Sequence, residues 1–437
     1  MYLKKILFLL LIWSFPNAFF SQDSSFTRDG IRLNAISIDT NAMNQFPFID
    51  FDQNYFQFPS DSNPNWDSLY ENLDSMILLK DRKLQFYHIG GSHIQADIYT
   101  HDFRSFIQSN WPGLSGQRGL VFPFNLAKTN NPSNYRFSSS NTWSGYRSVI
   151  HRPEFLNYGI TGAAISCTDS LIQLTFKHKK TRVSPPINAL RIYHNSGLIP
   201  YEFNFGDDEL LIQSVRRCAD MGYTEIRFTD PIKTLDMQFI RTTKKTFRLD
   251  LYGFELLNDL PGISYNSIGI NGAGLYTYLD NEYFLRDLKL SPPDYFAFSV
   301  GTNDGFVPFS DFKPEVYKEN LRKMMDLVLQ ANPQCAILLT VPNDCYYKKR
   351  YPNKNTERQR KVIVELAEEY GCGVWDFYGF MGGLGSSNTW RMEGLMRNDY
   401  VHFTKEGYHL KGELYIDAFL KYLNQVECLN EKDNSRK

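Results

Sequence analysis

The run Leu84-Gln85-Phe86-Tyr87-His88-Ile89-Gly90-Gly91-Ser92-His93-Ile94-Gln95-Ala96-Asp97 decides the fold. Its first six residues are apolar enough for a buried strand, and two glycines break it. A helix then opens near Ser92, with Ile94, Ile98, Phe103, Phe106 and Ile107 available for burial. Strand, glycine turn, serine and helix form a productive order. The turn lifts the serine out of the sheet, and a helix N-terminus favours negative charge nearby.

Downstream of Pro261 the same rhythm returns. Residues 295–300 and 335–341 are apolar strands, and 314–331 has helical spacing. Residues 356–370 read as a helix with Thr356 and Gln359 spaced as a capping box. Residues 373–377 form a short strand, and 405–423 a closing helix. Strands alternating with helices imply a largely parallel sheet. Between 141 and 257 the texture differs. Short β-rich runs, such as Leu171-Ile172-Gln173-Leu174-Thr175-Phe176, Leu210-Leu211-Ile212 and Phe247-Arg248-Leu249-Asp250-Leu251-Tyr252, are separated by turn residues. No long helical pattern intervenes, which argues for a β-sandwich. The expected organisation is therefore an α/β domain in two parts, 81–140 and 258–427, with an all-β sandwich inserted at 141–257. A segment of extended pieces and one helix (67–79) precedes it at 22–80, and a polar tail follows at 428–437.

At the N-terminus, Lys4 and Lys5 precede the apolar run Ile6-Leu7-Phe8-Leu9-Leu10-Leu11-Ile12-Trp13. A basic flank and a short apolar core predict a signal peptide over 1–21, too short to span a bilayer comfortably. No later segment has transmembrane length. The chain is expected to be exported, to the periplasm, the cell surface or the medium. A net charge of −1 provides no whole-chain footprint for nucleic acid. Export permits pairing among the six cysteines, whereas their spacing fits no zinc site.

Four blocks carry chemistry. Ser92 sits on the strand-to-helix turn. Gly269-Ile270-Asn271-Gly272-Ala273-Gly274 leads into a helix, and Gly272 lets a backbone N–H approach a ligand. Gly301-Thr302-Asn303-Asp304 follows a strand, and ligands of open α/β sheets gather at strand carboxyl ends. In Asp399-Tyr400-Val401-His402 the carboxylate can reach the imidazole and fix its tautomer. That last spacing arises about 0.4 times by chance in such a composition, so its place just before the final helix gives it weight.

In this order the four blocks resemble the SGNH/GDSL hydrolase superfamily. The resemblance implies a three-layer, flavodoxin-like parallel sheet. It makes Ser92 the nucleophile, His402 the general base and Asp399 its orienting acid. Gly272, Asn303 and the Ser92 amide would form the oxyanion hole. One departure is Gly91, where the family usually carries Asp. The Ser92-His93-Ile94-Gln95-Ala96-Asp97 block, the long interval before Gly272 and the Tyr252-Gly253-Phe254 approach to it are similar to bacterial peptidoglycan O-acetylesterases. In that group a carbohydrate-binding-like sandwich is inserted between the first two blocks.

The expected activity is thus ester hydrolysis on a glycan polymer, either peptidoglycan or another acetylated polysaccharide, without metal or organic cofactor. A GDSL lipase or phospholipase would need an exposed apolar rim, for which the Phe-rich 306–312 loop is a candidate. An inactive glycan-binding surface protein would not need all three of Ser92, Asp399 and His402. His93, Gln95, Asp97 and Trp390 are further candidates for substrate contact. The glycine-rich 381–387 loop before Trp390 is a candidate lid. For His88 a satisfied core position is the commoner reading, and His409 reads as structural.

Overall fold

A computed structural model describes residues 20–21, 25–28, 31–34, 37–38, 44–150, 153–179, 184–206 and 212–434. The expected signal peptide lies outside them except for its last two residues. The chain divides into two units, Met1–Pro47 and Phe48–Lys437. In the first, Phe20–Ser21 pairs with Ser37–Ile38, and Ser25–Arg28 with Ile31–Asn34, both antiparallel. All that follows concerns the second.

Its centre is a six-stranded sheet in the order Gly262–Gly269, Lys83–Gly90, Tyr295–Ser299, Ala336–Thr340, Gly373–Trp375, Phe56–Gln57. The first five strands are parallel, and Phe56–Gln57 closes the edge antiparallel. Counted along the chain, the parallel strands lie in the order 2-1-3-4-5, the flavodoxin-like arrangement. Alternation along each strand feeds two helical layers. Tyr87 stacks on Phe296 in the core that also holds Leu321 and Met325 of the helix Pro314–Ala331 and Ile363 of Asn355–Tyr370. Phe86 faces the other way, against Tyr295 and against Phe419 of the helix Lys405–Asn434.

The β-rich region forms two antiparallel sheets. One runs Ile212–Cys218, Tyr223–Ile232, Ile187–His194, Leu249–Leu257, Ala163–Cys167, Ser144–Arg147, with Gly119–Val121 also paired to Leu249–Leu257. The other runs Tyr201–Phe205, Thr234–Arg241, Leu171–His178, Tyr135–Ser138. Inward-facing residues of both sheets, among them Phe137, Leu174, Phe176, Ile192, Phe239 and Phe254, make one core. Two of these strands precede residue 141, the expected start of the sandwich. They are three and four residues long, too short for their alternation to register. Tyr193, Tyr201, Phe203 and Phe205 are buried and do not form a stacking face.

Three local expectations change. The helix from Ser92 is not continuous. Ser92–Gln95 and Tyr99–Ser109 are separate, and Asp97 between them has a left-handed φ of 46°. Its buried carboxylate bonds Thr100, Arg104, Arg118 and Asn134, and these tertiary contacts set the local backbone. Thr356 and Gln359 do not form a capping box, since the helix begins at Asn355 and Gln359 donates instead to Gly301 O at 2.7 Å. The 381–387 loop is not an open lid. Met381 and Ser387 are fully buried, and Ser387 bonds the Asp344 carboxylate through both its N–H and its hydroxyl.

Candidate active site

Strands 1, 2 and 3 of the parallel sheet are neighbours, and each ends at the same edge. Strand Lys83–Gly90 leads through Gly91 to Ser92, strand Gly262–Gly269 to Gly272, and strand Tyr295–Ser299 to Asn303. The chain order reverses at this point in the sheet, and such a switch point leaves a crevice at the strand ends. A cleft of about 580 Å³ opens there, lined by Ser92, Gly272, Asn303 and His402 among others.

The Ser92 hydroxyl donates to His402 Nε2 at 2.8 Å, and His402 Nδ1 donates to Asp399 Oδ2 at 2.9 Å. A carboxylate only accepts, so the proton of the neutral ring belongs on Nδ1 and Nε2 is free to take one. The other carboxylate oxygen, Oδ1, accepts the amides of Val401 and His402, each at 2.9 Å. Burial works against the Asp399 charge, but these two amides and the imidazole outweigh it and hold the carboxyl below its ordinary value. The Asp-x-x-His turn closes through Tyr400, whose left-handed φ of 59° is uncommon for an aromatic residue. The Tyr400 ring rests on Tyr346 at 4.8 Å, which secures the strained turn.

Opposite His402, Asn303 Nδ2 donates to Ala273 O at 2.9 Å. That bond uses one amide hydrogen and fixes the side chain, leaving the second to be offered elsewhere. Gly272 has φ of 89°, and a Cβ there would project into open space. At Gly91 the crowding is real, because a Cβ would lie 2.9 Å from Asn303 Nδ2. Absence of the acid usual at this position therefore leaves Asn303 its place.

Of the other candidates, none lines the cleft. Gln95 is buried and clamps two cleft loops, donating to Asn130 O at 2.6 Å and accepting the Asn271 amide at 2.6 Å. His93 lies beneath His402 with ring centroids 5.3 Å apart, and its Nδ1 meets the Tyr408 hydroxyl at 3.0 Å. Burial holds His93 well below the usual imidazole range, so it stays neutral. Asp97 is locked between two arginines, and Trp390 is buried with its indole on Met381 O. His88 is a core residue bonded to Tyr265 and Ser299, its pKa pushed down to about 3 by burial. His409 pairs with Asp102. The five described cysteines are unpaired, and no metal-ligand cluster occurs among the described residues.

Sequence reasoning missed several contributors. Asp304, beside Asn303, is half-buried and accepts the Leu275 amide at 3.0 Å, pinning the helix that follows Gly272. Burial, opposed by that amide, raises its pKa to about 6. Asn130 and Ser133 reach the cleft from the loop between two sandwich strands, and Arg397 and Tyr408 complete its wall with Phe306 of the 306–312 loop, which the sequence singles out. Position in the chain was a usable signal for Asp304, the last residue of the Gly301 block, and for Arg397, two residues before Asp399; for Asn130 there was none.

The sheet order and the likeness to solved structures are those of an SGNH-type fold. Residues 251–410 match the model of the GDSL-like lipase/acylhydrolase family. That stretch holds Gly272, Asn303, Asp399 and His402 but not Ser92, which precedes the sandwich. The chain is similar in fold to a solved peptidoglycan O-acetylesterase at 17% identity and a TM-score of 0.70, covering 85% of this chain and 99% of that one. Shorter overlaps occur with an acetyl xylan esterase (19% identity, TM-score 0.30, 36% and 81% covered). A lipase/acylhydrolase from Enterococcus faecalis behaves alike (20%, 0.28, 35% and 73%). No curated protein matches in sequence. Residues 251–410 thus match a GDSL-like lipase/acylhydrolase model, and the chain as a whole shares the fold of a peptidoglycan O-acetylesterase. No described helix is long and apolar enough to cross a membrane.

Proposed function

We propose that the protein is an exported serine esterase that removes O-acetyl groups from a carbohydrate polymer, with peptidoglycan as the leading substrate. The observation that carries this reading is the hydrogen-bonded series Ser92–His402–Asp399 at the mouth of a cleft walled by Asn303 and Gly272. Ser92 Oγ attacks the acetyl carbonyl carbon as its proton passes to His402 Nε2, and Asp399 stabilises the imidazolium. Charge developing on the carbonyl oxygen meets the amides of Ser92 and Gly272 and the free hydrogen of Asn303 Nδ2. His402 then returns the proton to the departing sugar oxygen. A water, deprotonated by the same ring, attacks the acetyl-enzyme and releases acetate. Every step uses groups of this chain.

The preference for a short acyl group on a sugar rests on the cleft wall, where Asn130, Asn131, Ser133, Asn271, Thr302 and Arg397 outnumber the apolar side chains. Of the 306–312 loop only Phe306 lines the cleft and the exposed Phe309 does not, so that loop builds no apolar rim of the kind a lipase needs. Export is part of the proposal, resting on the N-terminal basic and apolar run and on the location of such polymers. The test is acetate release from O-acetylated peptidoglycan and from acetylated xylan by wild type and Ser92→Ala. Release by wild type alone supports the esterase and ranks the polymers. If wild type turns over neither polymer nor a simple aryl acetate, the reading is wrong and glycan binding without catalysis replaces it.

A further inference from the structure

The cleft holds an asymmetry of charge that ester hydrolysis does not require. Among its described lining residues there is one permanent cation, Arg397, and no Asp or Glu. Arg397 takes part in none of the ion pairs among the described residues, whereas the largely buried Arg104, Arg118, Arg191 and Arg286 all do. Its backbone is rigidly tied to the base. The Arg397 amide donates to His402 O at 2.8 Å, Arg397 O accepts the Tyr400 amide at 3.1 Å, and the adjoining Met396 bridges Phe403. The guanidinium lies close enough to His93 and Tyr408 to disfavour protonation of the one and favour ionisation of the other. An exposed cation whose backbone is tied to His402, and which pairs with no carboxylate among the described residues, is suited to a carboxylate on the substrate.

We propose that Arg397 is a specificity residue that recognises a carboxylate on the acetylated sugar unit, so that the substrate class is an acidic glycan. This rests on the esterase reading for its meaning but not for its measurement. The carboxylate has two chemical sources, the lactyl ether of a muramic acid that carries no stem peptide or the C6 carboxylate of a uronic acid. The neutral wall formed by Asn130, Ser133, Asn271 and Thr302 is left to contact sugar hydroxyls.

The experiment is an NMR titration of the full chain with N-acetylmuramic acid, glucuronic acid and the carboxamide of each. None of these carries an ester, so no turnover is needed. At least one acid is expected to bind roughly fivefold or more tighter than its amide, the range of an Arg–carboxylate pair at a partly open rim. The preference should weaken with added salt, vanish in Arg397→Gln and persist in part in Arg397→Lys. Preference for N-acetylmuramate alone assigns the muramic source, and preference for glucuronate alone the uronic one. Equal binding of acid and amide, no binding of either, or a preference that survives Arg397→Gln overturns the proposal. Carboxylate recognition without acetate release in the polymer assay would instead sink the esterase reading and leave this one standing.

Discussion

In the parallel sheet, three adjacent strands stop at one edge, and residues two to four beyond each stop belong to the cleft. The backbone itself delivers Ser92, Gly272 and Asn303, so the site is only as accurate as the strand register. In the sandwich, by contrast, the inward-facing apolar residues of two sheets close a core of their own, while Tyr193, Tyr223 and Tyr252 join the core of the parallel sheet. Only the loop 122–134 brings sandwich-side residues to the cleft. One region spends its rigidity on placing atoms, while the other spends it on being a stable body beside them.

Substitutions sharpen that contrast, and the largest effect belongs to the sheet. Ser92→Ala removes the proposed nucleophile and should lower acetate release by about 10⁴-fold or more, with an unchanged unfolding midpoint. Activity within tenfold of wild type would break the assignment. In the sandwich, Phe137 is fully buried against Phe176 and Phe254, with ring centroids 5.2 and 5.1 Å away. Phe137→Ala should cost about 3–5 kcal/mol of stability in urea unfolding, while kcat per folded molecule stays within twofold. A matching collapse of kcat would mean that the sandwich shapes the chemistry.

A smaller effect concerns Asp304. Its folded pKa of about 6 exceeds the unfolded value near 4, so the stability linked to its neutral form is complete below pH 4 and lost as pH rises through 6. The loss is up to about 3 kcal/mol. Asp304→Asn keeps an oxygen for the Leu275 amide and cannot ionise, and it should flatten the pH 4–7 stability profile. A profile as steep as wild type would place the titration elsewhere. The smallest effect is Gly91→Ala, which sets a methyl against Asn303 Nδ2 and should cut kcat about tenfold with little change in stability. An unaltered kcat would show that Asn303 can shift without consequence.

Much of this was legible in the chain. The strand at 84–89, the glycine turn and the helices at 314–331 and 355–370 declare themselves through runs and periods of apolar residues, which are local properties. The approach of Asp399 to His402 follows from three residues of spacing. What stayed hidden is decided by distant partners. Asp97 breaks a helix because Arg104 and Arg118 hold its carboxylate. Gln359 supports the Gly301 turn and caps nothing. Glycine-rich composition suggested a lid at 381–387 because composition is blind to the bonds from Ser387 to Asp344.

The position of strand Lys83–Gly90 has a consequence for how the molecule assembles. Both of its neighbours in the sheet, Gly262–Gly269 and Tyr295–Ser299, come later in the chain than the entire sandwich. At ordinary rates of synthesis the roughly 170 intervening residues take about 10–30 s to appear. Through that interval an apolar segment has no edge to join, while the sandwich downstream of it already can. The strand that leads to Ser92 is therefore the first of the parallel strands to be made and must wait for both of its neighbours, so it needs protection from other chains during folding.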